Sequence, residues 1–387
     1  MLTVVAALLA ACSGAPLTPT VAPTKTPLPT FTPVPPSPTE TPTPVATSTP
    51  TPVPPTPTAT PIPNVNPLTG LSLGQASRLQ RRPLQVVVNN SPVARPQYGL
   101  AEADIVWEYV MDGWAVTRFT AIYLSQEVER IGPVRSARLI NLNLGPMFDA
   151  ALVASGASVD VRWLLRNKGN FPYFDIDLDD PGNNVYSISL GTYWETRLQT
   201  STQGLRQWLQ KSGLEQPVDL KPFDFSVTVP ITGSAPGTSL HIPYPESSVV
   251  DWAFDAGSAA YLRSAMGEAH VDGATGKQLT AANVVVLYAP HGKTAIVEDS
   301  LGNTAIQINL AGEGKALVLR DGQSWEGKWR WDAPVDAATI GTGDTVAVPR
   351  QTGKLPQFVT ADGQPIPLKP GATWFQVVPD DYKVGVK

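Results

Sequence analysis

Between Pro16 and Pro63 this chain of 387 residues places eighteen of its 40 prolines, interleaved with threonine, and that run decides where a fold can form. Only Lys25, Glu40 and Phe31 supply a charge or an aromatic ring within it. Proline fixes φ and donates no backbone hydrogen bond, so the segment cannot build a helix, a sheet ladder or an apolar core. It is expected to be a disordered tether rich in extended polyproline II, reaching about 150 Å at about 3.1 Å per residue. Folding is therefore confined to residues 64–387.

Ahead of the tether, Met1 to Ala11 reads MLTVVAALLAA, apolar, uncharged and far shorter than the roughly 20 residues a membrane-spanning helix needs. Its length and small-residue end suit the apolar core and cleavage region of a secretory signal, assigned to residues 1–11. No Lys or Arg precedes the run, so a start upstream of Met1 is expected. Leu9-Ala10-Ala11-Cys12 resembles the lipobox of bacterial lipoprotein precursors, which implies cleavage before Cys12 and a diacylglyceryl group on its thiol. Cys12 is the only cysteine, so the folded part has neither a disulfide nor a thiolate metal site. Residues 12–63 are then a lipidated linker, and the chain is expected outside the cytoplasm, held to the cell membrane by its lipid.

Beyond residue 63 the texture is that of a folded protein. Gln85 to Asn90 (QVVVNN), Asp104 to Met111 (DIVWEYVM), Val116 to Ser125 and Ala151 to Ala154 are short β-branched or aromatic runs that read as strands. Asp112-Gly113 between the second and third predicts a hairpin. Ser136 is a candidate cap for a helix through Leu144, ended by Gly145-Pro146, and Val159 to Asn167 and Thr202 to Ser212 read as helices. An α+β or α/β domain is expected over residues 64–235. Past Pro236 the runs Asn283 to Tyr288, Ala316 to Leu319 and Thr373 to Val378 alternate with turn residues, which predicts a mainly β domain over residues 236–387.

Several blocks in this region resemble the YerB-type lipoprotein family: NPLTGL (66–71), RPQYGLAEADIVWE (95–108), TRF (117–119), IGPVRSAR (131–138), LRSAMGEAHVD (262–272), TGKQLTAANVVV (275–286), residues 312–328 and PGATWFQVVP (370–379). The resemblance implies an N-terminal and a C-terminal family domain on a membrane-anchored chain, without an assigned activity. The sequence departs from the family pattern at Gly182 to Tyr193, where an Arg- and His-containing segment is usual, and at Ala154-Ser155-Gly156, where a His often precedes the glycines.

The residues name no reaction. With 28 basic and 33 acidic residues and no basic block, nucleic acid is not an expected partner. His241, His270 and His291 lack metal-site spacing, and neither a metal nor a cofactor is expected. The strongest candidate site is an anion-binding group of Arg95, Arg118, Arg135, Ser136 and Arg138, since guanidinium forks near a turn or helix start suit phosphate or carboxylate. The competing reading makes Arg118 and Arg138 partners of Asp104, Glu108 or Asp112 in a strand-tying scaffold. Asn89 and Asn90, where an apolar strand ends, and Asp104 and Glu108 complete a candidate pocket. The acidic run Asp175, Asp177, Asp179 and Asp180 reads as a solvated loop, His270 with Asp272 as a turn brace, and Trp325, Trp329 and Trp331 as packing rather than a glycan strip.

Two functions compete. One is a non-enzymatic envelope module that binds a cell-wall polymer or an envelope protein. The other is a transferase or hydrolase acting on a phosphate-containing lipid or polymer, with Arg118, Arg135 and Arg138 holding the phosphate and Asp104 or Glu108 acting as base or metal ligand.

Overall fold

The computed structural model describes residues 64–229 and 232–387; the apolar N-terminus, Cys12 and the Thr/Pro run lie outside them. Strands β1 (Leu84–Asn89), β2 (Ile105–Val110) and β3 (Thr117–Tyr123) are buried along their whole lengths, as expected for apolar runs in the middle of a covered sheet. β3 lies between the other two and is antiparallel to both, and the Asp112-Gly113 turn joins it to β2. Helix α1 (Asn141–Phe148) leads to β4 (Ala151–Ala154), which runs parallel to β1. Helix α2 (Val159–Asn167) then carries the chain to β5 (Tyr173–Asp175), parallel to β4.

Local sequence explains these helices. Ser158 Oγ caps α2 by accepting from Val161 N, and Val161, Leu164 and Leu165 bury one face at helical spacing. After the short helix α3 (Ile176–Asp179) and the hairpin of β6 (Ser187–Ser189) and β7 (Leu198–Thr200), Ser201 caps α4 (Thr202–Lys211) in the same way, with Leu205 and Leu209 inward. The expected helix from Ser136 to Leu144 is displaced. Ser136 caps nothing; residues 131–134 instead form isolated bridges to Thr200, Tyr98 and Val88, and α1 continues through Gly145 and Pro146 to a left-handed Asp149. Gly145 permits this, because a Cβ there would lie 2.5 Å from the Phe171 ring.

The C-terminal part is mainly strands. β8 (Ser234–Pro236) precedes a second, antiparallel sheet formed by β9 (Ser239–Ile242), β10 (Val250–Asp255), β11 (Ala260–Ala265), β12 (Glu268–Ala269) and β13 (Thr280–Ala281). β14 (Asn283–Ala289) returns to the main sheet. There follow the hairpin β15 (His291–Val297) and β16 (Thr304–Ile308), the long pair β17 (Gly312–Arg320) and β18 (Gln323–Trp331), and the hairpin β19 (Val335–Thr339) and β20 (Thr345–Pro349). β21 (Gln357–Val359) pairs with β18, while the short β23 (Gly385–Val386) completes the second sheet.

Strand β22 (Thr373–Pro379) lies between the two parts, parallel to β2 on one side and to β14 on the other. A single eleven-stranded sheet results, in the order β21-β18-β17-β14-β22-β2-β3-β1-β4-β5, with β8 beside β18. Aromatic side chains fasten this joint: Trp107 of β2 stacks on Phe375 at 4.3 Å, and Trp374 meets Phe119 and Trp252 edge-on at 5.5 and 5.3 Å. Each such ring contributes about 1.5–3 kcal/mol by burial. The fold is thus α+β in its N-terminal part and mainly β in its C-terminal part. Among the described residues no helix is long and apolar enough to cross a membrane.

Trp325, Trp329 and Trp331 are buried, with their indole N–H groups donating to the carbonyls of Thr232, Tyr288 and Lys354; they pack and present no stacking strip. The aspartate run corrects the expectation of a solvated loop. Asp175 is buried and caps α3, while buried Asp180 accepts from the Tyr186 and Ser187 N–H groups and the Ser187 hydroxyl. His270 bonds Gln97 Oε1 at 2.6 Å, and Asp272 takes the N–H groups of Gly99, Ala274 and Thr275, so the two brace separate turns.

Candidate anion-binding site

Strands β1, β2, β4 and β5 all point the same way, so their carboxyl ends share one edge of the sheet, where open α/β sheets bind ligands. A cavity of about 690 Å³ opens there. Asn89 and Ser91 reach it from the end of β1, Asp112 from the end of β2, Gly156 and Ser158 from the end of β4, and Asp177 from the end of β5. Arg118 enters from the start of antiparallel β3, and Arg135, Ser136 and Arg138 from the segment that follows. The C-terminal part supplies Glu298 to Leu301, from the turn between β15 and β16, and the β6–β7 connection supplies Trp194 and Glu195.

Charges here are mostly matched in pairs. Arg138 forks onto Asp112, with Nε donating to Oδ1 and Nη2 to Oδ2, and has Glu298 Oε2 at 3.7 Å. Burial alone would lower the Arg138 pKa, but Glu298 and Asp112 overcome it and raise it. Burial pushes Glu298 up to about 7, with Asp112 adding to the rise and Arg138 opposing it. Arg162 pairs with Asp175 at 2.5 Å and approaches Asp177 at 3.8 Å.

Two arginines stand outside this pairing. Arg118 is only 5% exposed, and its Nε and Nη1 have no hydrogen-bond partner among the described residues; Nη2 points at Met111 Sδ, 2.6 Å away. Burial, reinforced by the Arg138 charge, pushes its pKa down to about 9. Arg135 lies over the Trp194 ring at 4.4 Å and its Nη1 reaches the Trp194 carbonyl at 3.5 Å. Neither forms an ion pair with a described carboxylate. Arg118 and Arg135 are thus the guanidinium groups of the cavity lining that stand outside its ion pairs, with Asp112 acting on the first and Asp177 and Glu195 on the second only at longer range.

The structure therefore brings together Asn89, Arg118, Arg135, Ser136 and Arg138 and sets the other candidates apart. Arg95 lines a different cavity, of about 560 Å³, with His270, and donates to Asn90 Oδ1 and the carbonyls of Asn90 and Ser247. Asn90 and Glu108 belong to a buried network: Asn90 Nδ2 donates to Thr117 Oγ1, whose hydroxyl donates to Glu108 Oε1. Asp104 precedes β2 and so sits at the opposite end of the sheet, where it accepts from Asn66 Nδ2, Leu124 N and the Ser125 hydroxyl. Of the two proposed strand-tying arginines, only Arg138 makes such a tie, to Asp112. Glu298, Arg162 and Trp194 had no local signal, because each reaches the cavity through tertiary folding from a distant segment.

The comparisons with known proteins agree with this architecture. Residues 68–215 match the pattern described as "Protein of unknown function (DUF3048) N-terminal domain", and residues 240–355 match its C-terminal counterpart. The chain is 30% identical over 317 residues to the Bacillus subtilis protein described as "Putative lipoprotein YerB", covering 81% of this chain and 86% of that one. The crystal structure of the Bacillus subtilis YerB protein superposes with a TM-score of 0.64, covering 83% of this chain and 99% of that chain. With both domains matched in order and the fold shared along almost all of a solved relative, this chain belongs to the YerB-type, two-part DUF3048 family.

Proposed function

We propose that this chain is an extracytoplasmic lipoprotein, anchored through Cys12, whose folded part binds an anionic component of the cell envelope in the cavity at the strand ends. The observation that carries the ligand reading is Arg118, a residue lining that cavity whose buried Nε and Nη1 have no hydrogen-bond partner among the described residues. A buried cation outside any ion pair destabilises a fold, and a bound phosphate or carboxylate offsets that cost. The lipobox-like context of Cys12 and the description of the relative as a lipoprotein support the anchor. The enzymatic alternative loses the bases first considered, because Asp104 and Glu108 lie outside the cavity and their carboxylates are already bonded.

Two measurements test this reading. Inorganic phosphate or acetate should raise the melting temperature of the protein in a concentration-dependent way, by the mass-action stabilisation of a ligand that binds only the native state. The shift should vanish in Arg118→Leu; an equal shift in that variant would refute the site. For the anchor, cells labelled with a lipid precursor should show a labelled band that disappears in Cys12→Ala. Persistence of the label in that variant would refute attachment at Cys12.

A further inference from the structure

Behind the arginines of the cavity stands a carboxyl group without a hydrogen bond. The Glu298 side chain is fully buried, and neither of its oxygens has a partner among the described residues; Arg138 Nη1, 3.7 Å from Oε2, is too distant to donate. Neighbouring elements bring other groups to bear on it. Asp112 acts from the β2–β3 turn, and the Ser158 N–H and hydroxyl act from the start of α2 without closing a bond. In the turn that carries Glu298, Asp299 is occupied by Asn303, and Asp344 of the β19–β20 hairpin takes the N–H of Ala295. Burial without donors favours the uncharged form of a carboxyl group, in keeping with the rise of Glu298 to about 7.

Glu298 and Arg118 share two neighbours. Arg138 and Asp112 act electrostatically on both of them, and Arg138 forks onto Asp112. That fork is neutral as a pair, so Glu298 sets the charge of the trio: negative when its carboxyl is ionised, zero when it is protonated. An anion on Arg118 meets a repelling group in the first state and a neutral one in the second. Linkage makes the effect mutual, so a bound anion in turn tightens the hold of Glu298 on its proton.

We infer that the cavity takes up its anion together with a proton, and that Glu298 holds this proton. This rests on the anion-binding reading and adds the condition under which the site fills: acid surroundings load it and alkaline ones empty it. Toward about pH 6 Glu298 is protonated with or without the anion, and affinity reaches its plateau. As the pH rises through about 7 the empty protein loses the proton first, so binding has to recover it and weakens. For a coupling of about one pKa unit, affinity should fall about fivefold between about pH 6 and pH 8, with about half a proton taken up per anion in the middle of that range.

Acetate and sulfate are the probes, because both stay ionised across this range, whereas phosphate titrates within it. Each is titrated calorimetrically into the full chain in imidazole and in Tris, cationic buffers whose heats of ionisation differ, so the difference in heat counts the protons taken up. Arg118 keeps its charge over the same range, since burial lowers its pKa only to about 9. At least one anion should show the loss of affinity and the proton uptake, and Arg118→Leu should abolish its binding throughout. Glu298→Gln, which fixes an uncharged side chain of the same shape, should flatten the profile and bind more tightly than the natural chain at the alkaline end. If that variant does not fold, the proton count on the natural chain decides, and binding without proton uptake refutes the coupling. Binding through Arg118 that is constant across the range, or a pH dependence that survives in Glu298→Gln, refutes the role of Glu298 and leaves the anion site standing. If neither anion binds at the acid end, the site and the coupling fall together.

Discussion

Replacing Arg263 with leucine should lower the stability of the protein by about 3–5 kcal/mol, the usual cost of leaving a buried charge without its partner. Arg263 and Glu108 are both fully buried and meet at 2.8 Å, joining β11 of the second sheet to β2 of the main one. Glu108 also receives the Thr117 hydroxyl at 2.7 Å, and the Arg263 guanidinium lies 5.2–5.7 Å from the centres of the Phe119, Trp252 and Trp374 rings. Once the guanidinium is gone, the carboxylate remains among aromatic rings with only neutral donors. The double variant Arg263→Leu/Glu108→Leu should recover much of the loss, since an apolar pair of similar volume is often as stable as the ion pair it replaces. Urea unfolding midpoints of the two single variants and the double variant measure this. A loss below about 1 kcal/mol in both single variants would show that the pair does not hold the sheets together.

Replacing Arg118 with leucine should have the opposite sign. Each unsatisfied buried donor costs about 1–3 kcal/mol, and Arg118 has two in addition to a buried charge that no ion pair engages. Allowing for the packing lost with its methylenes, a gain of about 1–2 kcal/mol in unliganded stability is expected. The same change should eliminate anion binding. Natural proteins retain destabilising groups where function needs them, so a rise in stability coupled to a loss of binding separates a ligand site from a scaffold. A scaffold role predicts the reverse: lower stability and unchanged binding. Chemical unfolding with and without phosphate distinguishes the two outcomes in one set of samples.

Much of the fold was legible because strands such as Gln85 to Asn90 and Asn283 to Tyr288 are short, apolar and β-branched, and this pattern survives any tertiary arrangement. Helices α2 and α4 announce themselves through Ser158 and Ser201 followed by apolar residues at helical spacing. The GPVRSAR block was misread as a helix start because Ser136 looks like a cap locally, whereas residues 131–134 are drawn into bridges with strands distant in sequence. Strand order was not legible, because nothing in the TWFQVVP run says which neighbours it will take. The site followed the same division. Arg118, Arg135 and Arg138 were found through one compact block and a neighbouring strand. Asp104 and Glu108 were misassigned because a strand's sequence does not reveal which of its ends or faces meets a given cavity. Glu298 comes 160 residues after Arg138, beyond the reach of any local pattern.

The placement of β22 has a consequence for how such a chain is made and inherited. Until residues 373–379 leave the ribosome, β2 and β14 each keep an open row of backbone donors and acceptors, so neither half is closed before β22 emerges. The two DUF3048 segments cannot be traded between proteins like beads on a string, because a recombinant that exchanged one of them would also have to preserve the late strand that both require.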